Sequence, residues 1–101
     1  MLASNPAANI PSGAETEICQ WSANGTAQFV GFYISAPNGG QARLYIGGVE
    51  RHRLHIPYTG EAPYQEMVDK PYIPAAATVF SLRFYHENAA AQIVAGAILG
   101  G

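Results

Sequence analysis

Apolar and polar residues alternate with a period of two over much of this chain. The alternation is clearest in residues 43–56, on both sides of Gly47-Gly48. A period of two puts successive side chains on opposite faces of a strand, and two adjacent glycines tolerate the positive φ that a tight hairpin turn demands. A strict two-residue turn would put Leu44 and Ile46 on the face that carries Arg51, Arg53 and His55. One extra residue, a β-bulge near Glu50, moves Leu54 and Ile56 to the side of Leu44 and Ile46 and restores a single apolar face. The pattern therefore predicts a bulged hairpin with Arg43, Tyr45, Arg51, Arg53 and His55 turned outward.

The same period predicts strands over residues 15–21, 27–35, 78–87 and 92–99. Asn24-Gly25, between the first two, is a hairpin signal. In residues 27–35, Val30, Phe32 and Ile34 fall on one face and Phe29 and Tyr33 on the other, so the strand is apolar on both sides. A strand of that kind is buried on both faces, which points to a subunit contact through Phe29 and Tyr33. In residues 78–87, Phe80, Leu82 and Phe84 form the core face. Residues 92–99 place Ile93, Ala95, Ala97 and Leu99 on one side.

Residues 57–77 repeat Pro-Tyr at Pro57-Tyr58, Pro63-Tyr64 and Pro71-Tyr72. Proline donates no ladder hydrogen bond and breaks helices, so the segment is expected as an ordered crossover between sheets. Residues 1–14, with Pro6, Pro11 and Gly13, show neither period and are expected as an extended N-terminal arm, reaching a neighbouring subunit in the sharper reading. Residues 15–101 are then a single domain. The fold class is all-β: an antiparallel β-sandwich of jelly-roll or Greek-key type with about six to eight strands.

Composition narrows the function classes. Only 12% of the residues are charged against 49% hydrophobic, a low charge density for a surface that must stay monomeric. With a net charge of -2 and a single lysine, Lys70, the chain lacks the clustered cations of a nucleic-acid module. No run approaches the roughly 20 apolar residues of a membrane helix, so no membrane partner is expected. Cys19 is the single cysteine, so no intrachain disulfide forms and a reducing cytoplasm suffices for folding; the N-terminus lacks the pattern of a signal peptide.

Candidate chemistry is sparse. The histidines do not share a metal-binding spacing: His52 and His55 are three apart and point to opposite faces of one strand, and no His-x-His motif accompanies His86. No glycine-bracketed nucleophile elbow or phosphate loop is present, so neither catalysis nor a cofactor is expected. The outward hairpin face is more informative, because Arg83 and Tyr85 can join Arg43, Tyr45, Arg51, Arg53 and His55 from another strand. It reads as a solvated face or as an interface whose acidic complement is Glu15, Glu17, Glu61, Glu66 or Asp69 of a neighbour. Tyr58, Tyr64 and Tyr72 are the alternative site, a set of loop aromatics for stacking on sugar rings in a lectin-like module.

The N-terminal arm, the hairpin Arg43-Leu44-Tyr45-Ile46-Gly47-Gly48-Val49-Glu50 and the run from Pro71 to Arg83 together resemble small jelly-roll virion proteins of tailed bacteriophages, of the capsid-decoration, cement or fibre-tip kind. The resemblance is one of architecture over residues 15–101. It implies a non-enzymatic structural protein, located in the virion and made in the host cytoplasm. The implied partners are further copies in a homotrimer and other virion structural proteins, with a host-surface glycan in the alternative reading.

Overall fold

The computed structural model describes residues 1–57 and 64–101. They form eight strands: β1 (Ala3–Ile10), β2 (Thr16–Ser22), β3 (Phe29–Ser35), β4 (Gly40–Ile46), β5 (Val49–Ile56), β6 (Tyr64–Tyr72), β7 (Val79–Tyr85) and β8 (Gln92–Gly100). One sheet runs β1-β8-β3-β6 and the other β2-β7-β4-β5, with every pairing antiparallel. This is the strand order of a jelly-roll sandwich, in which consecutive strands pass back and forth between the sheets. Only β4 and β5 are consecutive strands of one sheet.

The core lies between the sheets. Ile10, Phe29, Phe32, Ile34, Val94 and Ile98 from one side meet Leu44, Ile56, Phe80, Leu82 and Phe84 from the other, each buried. Burying a side chain of this size contributes about 1.5–3 kcal/mol, so this layer is the main favourable term for the fold. Phe29 and Phe80 join across the gap with ring centroids 4.9 Å apart, and Trp21 packs on Phe80 at 5.0 Å. Gly96 admits a close approach of Ile18 and Leu82, since a Cβ there would stand 3.0 Å from Ile18 and 3.1 Å from Leu82.

The expected bulge is present. Tyr45 pairs with Glu50 and Leu44 with His52, which leaves Arg51 as the extra residue, while Ile46 still faces Val49 across Gly47-Gly48. Leu54 and Ile56 thereby come to the side of Leu44. His52 and His55 take opposite faces, with the His52 ring 6.5 Å from Phe29 and 6.1 Å from Phe32.

Four expectations are revised. Residues 3–10, read as part of an arm, form β1 and pair with β8 of the same chain. Asn24-Gly25 does not make a hairpin, because β2 and β3 lie in different sheets. Asn24 Oδ1 instead accepts from the amides of Thr26 and Ala27, each at 2.9 Å, and these bonds satisfy the turn without any strand pairing. Residues 64–72 are a strand despite Pro71, because β6 is a sheet edge and Pro71 falls in the break of the ladder between Met67 and Tyr72, where no pairing amide is required. Finally, an irregularity between Phe29 and Gly31 turns Phe29 into the core beside Phe32 and Ile34, leaving Tyr33 on the outside.

Candidate functional site

The outer face of β2-β7-β4-β5 carries most of the charge. Register places Glu17 opposite Arg83, Arg83 opposite Arg43, and Arg43 opposite Arg53, so one cross-strand row spans all four strands. Three arginines abreast repel one another unless counterions intervene. Glu15 supplies the first. Its Oε2 accepts from Arg43 Nη1 at 2.6 Å and from the Tyr45 hydroxyl at 3.0 Å, and its Oε1 accepts from Arg83 Nη1 at 3.2 Å. Glu50 supplies the second, taking Arg53 in a two-pronged contact at 2.7 and 2.9 Å.

The guanidinium groups also lie over rings, Arg83 at 4.3 Å from the centroid of Tyr45 and Arg43 at 5.2 Å from that of Tyr85. Arg43 Nε and Nη2 donate to Gln41 Oε1, and Arg83 Nε donates to Ser81 Oγ, which in turn donates to Glu17 Oε2. Burial raises the pKa of Glu15, but hydrogen bonds from Arg43, Arg83 and Tyr45 outweigh it and hold the carboxyl below its ordinary value. The hydrogen bond from Arg53 likewise lowers the carboxyl of Glu50. Burial and then the bond to Glu15 raise the phenol of Tyr45.

Two open grooves flank this ridge. One, of about 350 Å³, lies by Gln41, Arg43, His55, Tyr85, His86 and Glu87. The other, of about 490 Å³, lies by Gln20, Tyr45, Ser81 and Arg83 beneath the Gly47-Gly48 turn and Ala77. His86, at its groove's edge, is itself buried and occupied: Nε2 meets the Ile10 carbonyl at 2.7 Å and Nδ1 accepts from the Asn88 amide at 3.2 Å. Among the described residues no group of three His, Cys, Asp or Glu side chains is arranged to hold a metal ion.

The outer face of β1-β8-β3-β6 is chemically different. Its paired outward positions are Ser4, Asn9, Ile93, Ala95, Ala97, Leu99, Gly31, Tyr33, Ser35, Gln65 and Met67, and none is charged. Ile93 is 55% exposed and Met67 52%. A shallow groove of about 270 Å³ runs between Pro6, Tyr33, Ala95 and Ala97.

Of the residues singled out in the sequence, Arg43, Tyr45, Arg53 and His55 share the charged face, and Arg51 is the exposed bulge residue between Glu50 and His52. Phe29 belongs to the core and Tyr33 to the opposite face, so neither joins the arginines. Glu15 and Glu17 lie beside Arg43 and Arg83 within the same chain. Tyr64 and Tyr72 stand at opposite ends of β6, Tyr64 packed against the core and Tyr72 edge-on to Phe29 at 5.9 Å. Tyr58 and Glu61 lie outside the described residues. The structural role of His86 had no signal in the sequence beyond its place at the end of a strand.

No protein-family model, curated protein or solved structure matches this chain.

Proposed function

We propose that this chain is a non-enzymatic structural protein of a virus particle, acting by self-association into a homotrimer and by contact with other virion proteins. The jelly roll is an architecture of viral capsid domains, but also of lectins and cupins, so the fold alone does not choose between them. The observation that carries the reading is the contrast between the two outer faces. One is charged and largely neutralised within the chain, while the other has no charged residue at its paired outward positions and exposes Ile93 and Met67. A face whose paired outward positions carry no charge, on a chain with only 12% charged residues, suits burial against protein. The lectin reading draws less support, because Tyr64 and Tyr72 are held apart by the length of β6.

Light scattering at micromolar concentration tests the proposal. A defined multimer is the expected result, and Ile93→Glu together with Met67→Glu should weaken binding to a capsid or tail protein. A strict monomer that binds no virion protein would overturn it.

A further inference from the structure

The cross-strand row has a polarity. It begins with a carboxylate, Glu17, on the edge strand β2 and ends with a guanidinium, Arg53, on the edge strand β5. The two edge strands of this sheet differ in the same sense. The edge strand β2 bears Glu17, with Glu15 just before it, and has no cationic side chain. Within β5 itself, Arg51, Arg53 and His55 accompany one carboxylate, Glu50, while β6, the edge strand of the other sheet on that side, adds Glu66, Asp69 and Lys70. Charged edges protect sheets from pairing when the charges that meet are alike. Here they are opposite.

We infer that copies of this chain join head to tail, the β5 edge of one copy meeting the β2 edge of the next, with Arg53 and Arg51 facing Glu17. The inference rests on the self-association reading above and names its surface. Strand direction permits it: successive strands of β2-β7-β4-β5 alternate, so β2 and β5 run oppositely. A neighbour rotated about an axis along the strands would then present β2 antiparallel to β5. Glu17 and Arg53 lie at one level of the sheet, so continuing the row across the boundary sets carboxylate against guanidinium. The β2 edge is interrupted at its bulge, where the Ile18 carbonyl already accepts from Asn5 Nδ2 at 3.1 Å. Side chains on either side of that point therefore carry the contact. Two different edges make a heterologous interface, which gives rings of three or more where the rotation closes and filaments where it does not, whereas the opposite face meeting its own copy would give a two-fold dimer.

Charge reversal tests this directly. Arg51→Glu with Arg53→Glu, and separately Glu17→Lys, should each weaken self-association at least tenfold with the circular dichroism spectrum unchanged. The variant combining Arg53→Glu with Glu17→Lys should regain the wild-type mass. Raising salt from about 0.05 M to about 0.5 M should dissociate the wild type, since contacts between exposed charges are screened. A wild-type multimer whose mass is indifferent to the single reversals and to salt would overturn the edge contact while leaving self-association intact. A strict dimer would overturn it in favour of the opposite face, and a strict monomer would remove both readings.

Discussion

Arg43 and Arg83 stand directly opposite one another on β4 and β7, and the two oxygens of Glu15 hold one each. An arrangement with two like charges abreast is tolerable only while the shared carboxylate is ionised. Its folded-state pKa is lowered, so the stability it contributes is present above the ordinary glutamate pKa and is lost as pH falls through the lowered folded value. Glu15→Gln should destabilise the protein by about 1–2 kcal/mol at neutral pH, as two partly exposed ion pairs are lost and two guanidiniums are left facing each other. Urea denaturation at neutral and acid pH checks this: the difference between wild type and variant should shrink as the medium is acidified below the ordinary carboxylate range.

The strands that could be read from the sequence are those whose patterning is local. Residues 43–56 were legible because β4 and β5 are neighbours both in sequence and in one sheet, so turn, bulge and apolar face constrain each other. Every other link passes between sheets, and turn chemistry does not distinguish such a link from a hairpin, as Asn24-Gly25 demonstrates. The β6 strand was hidden because a proline-rich segment can be a strand at an edge, and position at an edge is a tertiary property. The side taken by Phe29 was hidden by an irregularity at Gly31 that leaves no mark on periodicity beyond the glycine itself. On the charged face, register alone grouped Arg43, Tyr45, Arg53 and His55. That Glu15 lies within reach of Arg43 and Arg83 depends on β2 lying beside β7, far along the chain.

Gly31 admits a close backbone approach from β6. A Cβ at this position would stand 3.0 Å from Met67 Cα and would collide with the Glu66 carbonyl. Neither obstacle is a flexible side chain, so Gly31→Ala must push β6 away from β3. A loss of about 2–3 kcal/mol is expected, with hydrogen exchange rising first along residues 64–67.

Ala77 has a φ of 71°, and the Thr78 amide reaches back to the Ala75 carbonyl at 3.2 Å. The third position of such a turn favours glycine, because a Cβ there is sterically penalised. The turn is held by hydrogen bonds from the Ala77 amide to the Ala23 carbonyl and from the Ala23 amide to the Thr78 carbonyl, at 2.8 and 2.9 Å. Ala77→Gly should therefore stabilise the protein by about 0.5–1 kcal/mol, the relief of strain exceeding the entropy of the added glycine. A raised thermal midpoint with unchanged oligomeric mass is the expected outcome.

His86 ties the end of β7 to β1 through the buried Ile10 carbonyl. His86→Phe keeps an aromatic ring near Phe84, whose centroid lies 6.3 Å from that of His86, but provides no donor. The carbonyl would be left unsatisfied away from water, at a cost of about 1–3 kcal/mol. His86→Gln can still donate, so its thermal midpoint should lie between those of the wild type and His86→Phe.

Cys19 is partly buried on β2, and burial, with Glu17 adding to it, pushes its thiol up to about 11 from the ordinary 9.0. The thiolate is the reacting species, so at a pH below both values a shift of this size leaves about 100-fold less of it. Iodoacetamide should therefore alkylate the folded protein about 100-fold more slowly than the urea-unfolded chain. Glu17→Gln removes the carboxylate's contribution but leaves the burial, so it should speed alkylation only modestly. If it restored the unfolded rate, charge rather than burial would be the main protection. Mass spectrometry of timed samples distinguishes these outcomes.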